Sequence, residues 1–299
     1  MWVMRHVSRN GGSREPADTS FTLQAAPVFP VNVSEATRRL ASLGLPPELA
    51  LSTLNFKELE IQLDPDARTL WCHMSPNGPP SFTPNMVREL NVLHETFRTI
   101  GKTVHPFPFD YYVQGSRIAS IYNMGGDLFF MIDAIRRRDR KALAAYAYGC
   151  VEAVHGIWHG FDLPVETICL VEGDALGGGL EGVICFNTIV AERNIKMGLP
   201  EILFGSFPGM GAFSFLSRRL SLGQAERMIR SGRVYTSDEM YDMGLVDILV
   251  GRGEGPARVR SYIAEARKHH RLNLALQKSK QMVAPIALSE LQNVTDLWV

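Results

Sequence analysis

The sequence contains few cysteines, and none of them stands in a C-x-x-C pair. There are four in 299 residues, Cys72, Cys150, Cys169 and Cys185, and the last two fall in segments that we expect to be buried. Free, mostly buried thiols favour a reducing cytosol over a disulfide framework.

The chain also has no net charge and no long apolar run. Lys and Arg number 31, as do Asp and Glu, so the formal net charge is +0 and no global field recruits nucleic acid or an anionic membrane. No uninterrupted apolar stretch reaches membrane-spanning length. The opening MWVMRHVSRNGGSREPADTS has no apolar region of the kind that a signal peptide needs. We therefore expect a soluble, cytoplasmic protein with neither nucleic acid nor membrane as a partner.

The remaining composition is that of an ordinary globular protein. Hydrophobic residues make up 45% and charged residues 21%, which suits one large domain or two small ones with a substantial core. Residues 1 to about 27 are interpreted as a loose arm. The segment VSEATRRLASLG predicts a short helix capped by Ser34. FKELEIQL and RTLWCHM, on either side of DPDA, predict a hairpin. TPNMVRELNVLHETFRTIG predicts a helix that starts behind Thr83 and ends at Gly101.

Strands and helices alternate in the middle of the chain. SRIASIYN, VETICLVEG, NTIVAER and LVDILV are predicted strands, and DLFFMIDAIRRRDRKALAAYAYGCVEAVHGIWHGF is predicted to be one long helix. NIKMGLPEILFGSFPGMG is punctuated by Gly and Pro and is predicted to be mostly loop. The pattern indicates an α/β fold. We expect an N-terminal arm with a short helix over 1–54, an α/β core over 55–235 and a mainly helical segment over 236–299.

The turn VEGDALGGGLEG follows a predicted strand and spells G-x-G-x-x-G with Gly177, Gly179 and Gly182. That is the dinucleotide-binding pattern, but it requires a full helix and then a strand ending in an acid about 20 residues on. Here the next strand ends near Glu192, so the helix between is too short, and Glu201 lies in a loop. No Lys-Ser/Thr follows the glycines, which excludes a phosphate-binding P-loop.

A second glycine turn, YNMGGDLF, also runs from strand to helix. Two such turns can bring two backbone N–H groups to one point, and N–H groups at helix N-termini are preorganised donors for developing negative charge. This predicts an oxyanion hole made of backbone. Glu181 follows the first turn within one helical turn, and Glu201 stands in the next loop.

These motifs together resemble the crotonase (enoyl-CoA hydratase/isomerase) superfamily over roughly residues 55–275. MGGDLF, VEGDALGGGLEG, KMGLPEILFGSFPGMGAFSFLSRRL and SGRVYTSDEMYDMGLVDILV match the family's segments in order. The resemblance implies a crotonase-like ββα spiral core with a C-terminal helical segment. Within the superfamily, EGDALGGG, KMGLPE and FPGMGA are most similar to bacterial synthases of the diffusible signal factor, a cis-2-unsaturated fatty acid used in quorum sensing.

The resemblance implies a role for each matched position. Glu181 and Glu201 take the catalytic carboxylate positions, and the backbone N–H groups of Gly126 and Gly178 take the oxyanion-hole positions. A further set is implied to bind substrate: Gly125, Leu176, Gly177, Met210 and Trp298. The signal synthases are understood to dehydrate a 3-hydroxyacyl thioester and then hydrolyse the thioester. No cofactor and no metal is implied. The last helix of the chain, which ends at Val299, is expected to run further.

The resemblance also implies partners, and it leaves alternatives. The substrate would be bound to acyl carrier protein or to CoA, a sensor-kinase receiver domain is a further partner of the signal-synthase branch, and relatives form trimer-based homo-oligomers. A generic enoyl-CoA hydratase or acyl-CoA thioesterase is the alternative enzyme. A regulatory binding protein on a crotonase scaffold is the alternative of another class, against which the presence of both glutamates argues.

Some conspicuous residues are given structural roles. His155 and His159 have the spacing of a metal pair, but Gly156 replaces the expected glutamate and no third ligand is found. Ser206 lacks the surroundings of a nucleophile and is interpreted as a turn residue, and Phe213 and Phe215 as core. The basic run from Arg136 to Lys141 is interpreted as a solvated helix face, with an acyl-carrier-protein dock as the alternative.

Overall fold

The computed structural model describes residues 54–299. The expected N-terminal arm and the helix capped by Ser34 lie outside the described residues. Within 54–299 the chain forms two sheets and ten α-helices, and the elements alternate much as the sequence predicts.

The larger sheet has six strands in the order β1-β2-β3-β5-β7-β10. The β1–β2 pair is antiparallel and all other pairs are parallel. Its strands are β1 Leu59–Asp64, β2 Thr69–Met74, β3 Tyr111–Ser116, β5 Glu166–Val171, β7 Thr188–Glu192 and β10 Ile248–Val250. Strands β5 and β7 are buried along their whole length, as parallel strands covered on both faces should be.

A second sheet of four very short strands lies in the order β4-β6-β8-β9, with only the β8–β9 pair antiparallel. Its strands are β4 Ile121–Asn123, β6 Asp174–Leu176, β8 Lys196–Gly198 and β9 Val234–Thr236. Three of them directly precede a glycine turn or the loop that carries Glu201, so this small sheet holds the candidate site residues together.

The helices cover the sheets on both sides. They are α1 Pro84–Thr103, α2 Leu128–Arg136, α3 Arg140–Trp158, α4 Gly178–Ile184, α5 Ala212–Arg219, α6 Leu222–Ser231, α7 Ser237–Asp242, α8 Gly255–Ala266, α9 His270–Val283 and α10 Leu288–Trp298. The main core joins most of them to one face of the large sheet. A smaller apolar cluster fills the space between the other face and α8.

Several local predictions are confirmed. The hairpin around DPDA is the antiparallel β1–β2 pair. Helix α1 starts as expected, because the Thr83 side chain accepts a hydrogen bond from the Met86 N–H and Pro84 occupies the first turn. It extends two residues beyond the expected end at Gly101. All four cysteines are free and buried.

The prediction of one long helix after the second glycine turn is wrong. Helix α2 ends at Arg136, and α3 begins at Arg140. Between them Arg138 adopts a φ of 57°, and the Asp139 side chain accepts from the Ala142 N–H as the cap of α3. A side chain that bonds its own backbone in this way favours a helix start over helix continuation.

The strand prediction for SRIASIYN is also corrected. The chain there forms the end of β3 and then, after a turn, the separate strand β4. Strands β6, β8 and β9 have three residues each, which is too short for a period-2 pattern to show in the sequence. Their existence is decided by pairing with one another.

Candidate active site

Gly177 and Gly179, the outer two of three consecutive glycines, meet different spatial demands. Gly177 has φ 57° and ψ −131°, a backbone conformation that residues other than glycine rarely adopt. A Cβ on Gly179 would lie 1.9 Å from the carbonyl oxygen of Asn123, so the turn could not approach β4 with any larger residue. The run is therefore explained by close backbone packing and not by a pyrophosphate, and α4, with seven residues, is short as the sequence indicated.

The two glycine turns touch each other. A Cβ on Gly125 would lie 2.8 Å from the Gly178 nitrogen, and a Cβ on Gly178 would lie 3.4 Å from the Gly126 nitrogen. The first turn is held in shape by the Asn123 side chain, which accepts from the Gly125 N–H at 2.7 Å. Phe82 donates its N–H to the Gly125 carbonyl at 2.8 Å.

This contact places the Gly126 and Gly178 N–H groups close together with no acceptor among residues 54–299. Gly178 opens α4, and Gly126 precedes Asp127, the cap of α2. The first N–H groups of a helix have no intrahelical acceptor. Both groups line one cavity, so they are available to an oxygen atom placed there.

Tyr146 on α3 fixes the first turn from behind. Its hydroxyl accepts from the Asp127 N–H at 3.0 Å and donates to the Phe82 carbonyl at 2.6 Å. The ring is buried and packs against Phe130. The peptide that carries the Gly126 N–H is thus bounded by two anchored neighbours. Tyr146 could not be predicted from the sequence, since a tyrosine inside a helix carries no local signal of this contact.

The cavity has a volume of about 380 Å³ and mostly apolar walls. Its polar side chains are those of Glu181, Glu201, Tyr146 and Ser206. Its large apolar side chains are Met124, Leu128, Met131, Leu176, Phe204, Phe207, Met210 and Trp298. An apolar pocket with a few converging polar groups is typical of a small-molecule site.

Glu181 is buried in α4 and is held by the loop before α5. Its Oε1 accepts from the Met210 N–H at 2.8 Å and from the Ala212 N–H at 2.9 Å. Burial raises the pKa of Glu181 well above its usual range, and the negative charge of Glu201 raises it further. The N–H groups of the 210–212 segment oppose both effects. As a net result, Glu181 keeps its proton to a higher pH than an ordinary carboxyl group does.

Glu201 lies in a 3-10 turn, Pro200–Phe204, directly after β8. A Cβ on Gly177 would lie 2.9 Å from its Oε1, so the second carboxylate lies against the first glycine of the run. Its Oε2 is buried and has no hydrogen-bond partner among the described residues. Burial raises the pKa of Glu201, by less than that of Glu181.

Two carboxyl groups in one apolar cavity do not ionise together easily, because each charge disfavours the other. Because the pKa of Glu181 is raised more than that of Glu201, Glu181 stays protonated at a pH at which Glu201 has ionised. One acid and one base beside two N–H donors can move a proton at one carbon, deliver a proton to the next, and stabilise charge on an oxygen.

The structure brings nearly all the sequence-predicted residues together. Leu176, Gly177, Met210 and Trp298 line the cavity with the two glutamates and the two N–H groups. Gly125 does not line it; its φ of 95° forms the first glycine turn. Trp298 covers Gly209, where a Cβ would lie 2.6 Å from the indole.

The residues set aside from the site have other surroundings. The rings of His155 and His159 stack at 4.2 Å between centroids, and His159 Nδ1 contacts the His155 carbonyl at 3.0 Å. Residues 54–299 contain no group of three or more His, Cys, Asp or Glu placed to hold a metal. Phe215 is core, Phe213 is exposed, and Ser206 forms part of the cavity wall. No helix in the described range is both long and apolar enough to cross a membrane.

The family model for enoyl-CoA hydratase/isomerase matches residues 138–297, just over half of the chain. The chain belongs to the enoyl-CoA hydratase/isomerase family. The match includes Gly178, Glu181, Glu201 and Met210, whereas the first glycine turn, with Gly126, precedes it.

Two of the curated relatives are hydratases that match over part of their length. Methylglutaconyl-CoA hydratase 1 of Pyricularia oryzae is 42% identical over 88 residues, which are 29% of this chain and 25% of that protein. Crotonyl-CoA hydratase of Syntrophomonas wolfei is 34% identical over 128 residues, 42% of this chain and 46% of that protein. The chain thus spans less than half the length of either relative.

Several solved structures share the fold of this chain. Enoyl-CoA hydratase from Bacillus halodurans superposes with a TM-score of 0.68 at 18% identity, covering 81% of this chain and 92% of that one. DspI of Pseudomonas aeruginosa superposes with a TM-score of 0.65 at 20% identity, covering 83% of this chain and 87% of that one. The expected crotonase-like α/β architecture is confirmed by these similarities.

Proposed function

We propose that the chain dehydrates 3-hydroxyacyl thioesters and then hydrolyses the thioester. The observation that carries this proposal is that two backbone N–H groups with no acceptor among residues 54–299 line one apolar cavity with two carboxyl groups. Membership of the enoyl-CoA hydratase/isomerase family supports the first step, since dehydration is the reverse of enoyl hydration.

In the dehydration step, the thioester oxygen accepts from the Gly126 and Gly178 N–H groups. Ionised Glu201 removes the proton on the carbon next to the thioester, and the electron pair moves toward the oxygen. The pair then forms the carbon–carbon double bond as the β-hydroxyl leaves with a proton from Glu181. One water is released, and the two glutamates have exchanged protonation states. Losing one oxyanion donor typically costs about 10²–10³ in rate.

The hydrolysis step uses the same oxygen site. A carboxylate takes a proton from a water molecule, whose oxygen bonds to the thioester carbon. The negative charge of the tetrahedral intermediate rests on the oxygen between the two N–H groups. The carbon–sulfur bond then breaks, and the carboxyl group passes its proton to the leaving sulfur, so that a thiol and the free fatty acid are released. One cavity therefore serves both steps with no group beyond this chain's own residues.

The apolar walls indicate a fatty acyl substrate. Met210 and Trp298 line the same cavity as the two glutamates, and their side chains would contact the acyl chain. The released acid would be a cis-2-unsaturated fatty acid signal for quorum sensing; the similarity of EGDALGGG, KMGLPE and FPGMGA to the signal synthases supports this part. Hydration of an enoyl-CoA in fatty acid metabolism is the second candidate, which the hydratase relatives favour.

The test is mass spectrometry of products from purified protein. 3-Hydroxyacyl groups of several lengths would be offered on acyl carrier protein and on CoA, and unsaturated thioester and free unsaturated acid would be followed separately. We expect both products from the carrier-bound substrate and neither from Glu201→Gln. Unsaturated thioester without free acid would leave a dehydratase or hydratase only. Absence of both products with every substrate would overturn the proposal.

A further inference from the structure

The mouth of the cavity is bordered by helix α2, whose outer face is apolar and exposed. Leu128 and Met131 of α2 line the cavity, while Leu128, Phe129, Ile132 and Ile135 are exposed, Phe129 to 78%. Their spacing places them along one side of the helix. Large exposed apolar side chains grouped in this way mark an interaction surface.

Directly after this face the chain carries a basic cluster, Arg136, Arg137, Arg138, Arg140 and Lys141. All five are exposed. Arg137 pairs with Asp133, and the other four have no ion pair within residues 54–299. Asp139 is the one acid inside the run, and its side chain is engaged in capping α3. The cluster is thus a local positive field on a chain whose formal net charge is +0.

The basic cluster lies close to the reaction site. Helix α2 begins beside Gly126 and rises about 1.5 Å per residue, so about 12 Å separates Leu128 at the cavity from Arg136. A partner bound over the cluster and the apolar face would therefore sit at the cavity mouth. A substrate tethered to that partner by a flexible arm could reach the two N–H donors.

We infer that this surface docks an acidic acyl carrier protein that delivers the thioester. The inference rests on the proposed function, because the tethered acyl group must be the substrate of the cavity. Charge complementarity decides between occupants. A second copy of the chain that met this face across a two-fold axis would oppose two basic clusters, and like charges repel. A second copy that met this face with a different surface is distinguished by the oligomeric state. An acidic partner with an apolar patch matches both features.

The test is a charge reversal, Arg136→Glu/Arg140→Glu/Lys141→Glu, at exposed positions outside the cavity. On 3-hydroxyacyl carrier protein we expect kcat/KM to fall at least about tenfold, since electrostatic steering is worth about 10–10³ in association rate. On the small N-acetylcysteamine thioester of the same acid, kcat/KM should stay unchanged. The matched control reverses three exposed basic residues elsewhere, Arg252→Glu/Lys268→Glu/Arg271→Glu, and should change neither.

Four results would overturn the docking surface. They are an unchanged rate on carrier protein, an equal loss on the small thioester, an equal loss on the CoA thioester, and an altered oligomeric state by light scattering. The third would mean that the cluster binds nucleotide phosphates, and the fourth that it contacts a second copy.

A binding measurement separates this inference from the proposed function. Carrier protein with an unacylated arm needs no catalysis, so its affinity can be measured by titration calorimetry even if no thioester is turned over. Wild-type binding that weakens with added salt and is lost in the charge reversal supports docking. Absence of wild-type binding would overturn the docking surface and leave the chemistry of the cavity to its own test.

Discussion

Glu181 and Glu201 are the same residue type in one cavity, yet their surroundings differ in the way that the proposed mechanism requires. Glu181 is buried and held by two backbone N–H groups, whereas Glu201 has an oxygen with no partner among the described residues. An oxygen without a protein partner is free to take a proton from substrate. A fixed, protonated neighbour is suited to give one.

We expect Glu181→Gln and Glu201→Gln each to lower the rate of dehydration by at least about 10², the usual worth of a positioned acid or base. Glutamine keeps the size of the side chain and cannot titrate. One of the two variants should spare thioester hydrolysis more than the other, since hydrolysis needs only activated water and the oxygen site. The control is Glu172→Gln, which removes a half-buried carboxyl outside the cavity. Dehydration at the wild-type rate in both cavity variants would refute the two-glutamate mechanism.

The same carboxyl group should make the protein less stable as pH rises. Burial raises the pKa of Glu181 in the folded state above its unfolded value. Below the unfolded pKa both states carry the proton, and the group has no effect on stability. Above it the unfolded chain ionises first, so the free energy of unfolding decreases until folded Glu181 ionises as well.

Glu181→Gln lacks this pH-dependent loss and keeps an oxygen for the Met210 and Ala212 N–H groups. We therefore expect the variant to melt at a higher temperature than wild type at about pH 8 and at a similar temperature at about pH 4. Calorimetry at both pH values measures the difference. If the melting temperatures of the two proteins differed equally at both pH values, packing and not ionisation would cause the difference.

Tyr146 is expected to act by positioning the Gly126 N–H and not by touching substrate chemically. Tyr146→Phe keeps the buried ring and removes the hydroxyl that bridges Asp127 and Phe82. We expect kcat to fall about tenfold with little change in KM, as for an interaction felt mainly in the transition state. The carbonyl stretch of a bound thioester, lowered by two donors in the wild type, should return toward its free value. An unshifted stretch in the variant would show that the turn holds without the hydroxyl.

Helix α10 contacts the wall of the cavity at the loop that contains Gly209. Its Thr295 hydroxyl donates to the Gly209 carbonyl at 3.0 Å, and Trp298 lies over the same glycine. The next residue, Met210, donates its N–H to Glu181. The C-terminal helix therefore supports both the acyl end of the cavity and the loop that orients a carboxyl group.

Shortening the side chains at that end should change chain-length preference. We expect Trp298→Ala and Met210→Ala to favour longer or branched acyl chains, because one methylene in an apolar pocket is worth about 1–3 kcal/mol. Competition between acyl lengths, read by mass spectrometry, measures the shift. Leu297→Ala, on the exposed side of the same helix, is the control. An identical length profile in both cavity variants would place the acyl chain elsewhere.

Across the protein as a whole, Arg219 ties the helical layer to the large sheet. Its side chain, only 4% exposed, donates to the carbonyls of Ile184 and Phe186 at the end of α4. It also lies 3.6 Å from Asp247, whose carboxylate accepts from the Ile189 N–H on β7. One guanidinium group thus donates hydrogen bonds to the carbonyls at the end of α4 and lies beside the carboxylate of Asp247 at the sheet.

Removing this group should destabilise the protein more than removing its neighbour. We expect Arg219→Ala to lower the free energy of unfolding by about 3–5 kcal/mol, because a buried charge and two carbonyls lose their partner. Arg218→Ala breaks a more exposed pair with Glu290 and should cost about 1 kcal/mol. Urea unfolding of both variants measures the difference. Equal decreases in the free energy of unfolding would mean that burial of Arg219 does not increase its contribution to stability.

Local chemistry in the chain was enough to predict much of this protein. Thr83 capping α1, the β1–β2 hairpin and the buried strand β5 follow from residue spacing and turn residues over short segments. Glu181, Glu201 and the two glycine turns could be selected because each carries a recognisable neighbourhood of a few residues. These features depend on contacts near in sequence, which a pattern can express.

Tertiary structure decided the rest, because the remaining contacts join residues far apart in the chain. The small sheet exists only through pairing between three-residue strands, and it brings the two glycine turns within contact. Gly179 is required by the carbonyl of Asn123, and Tyr146 braces the turn through Phe82, 64 residues away. The raised pKa of Glu181 arises from burial and from the charge of Glu201, two properties that a residue acquires only when the chain closes around it.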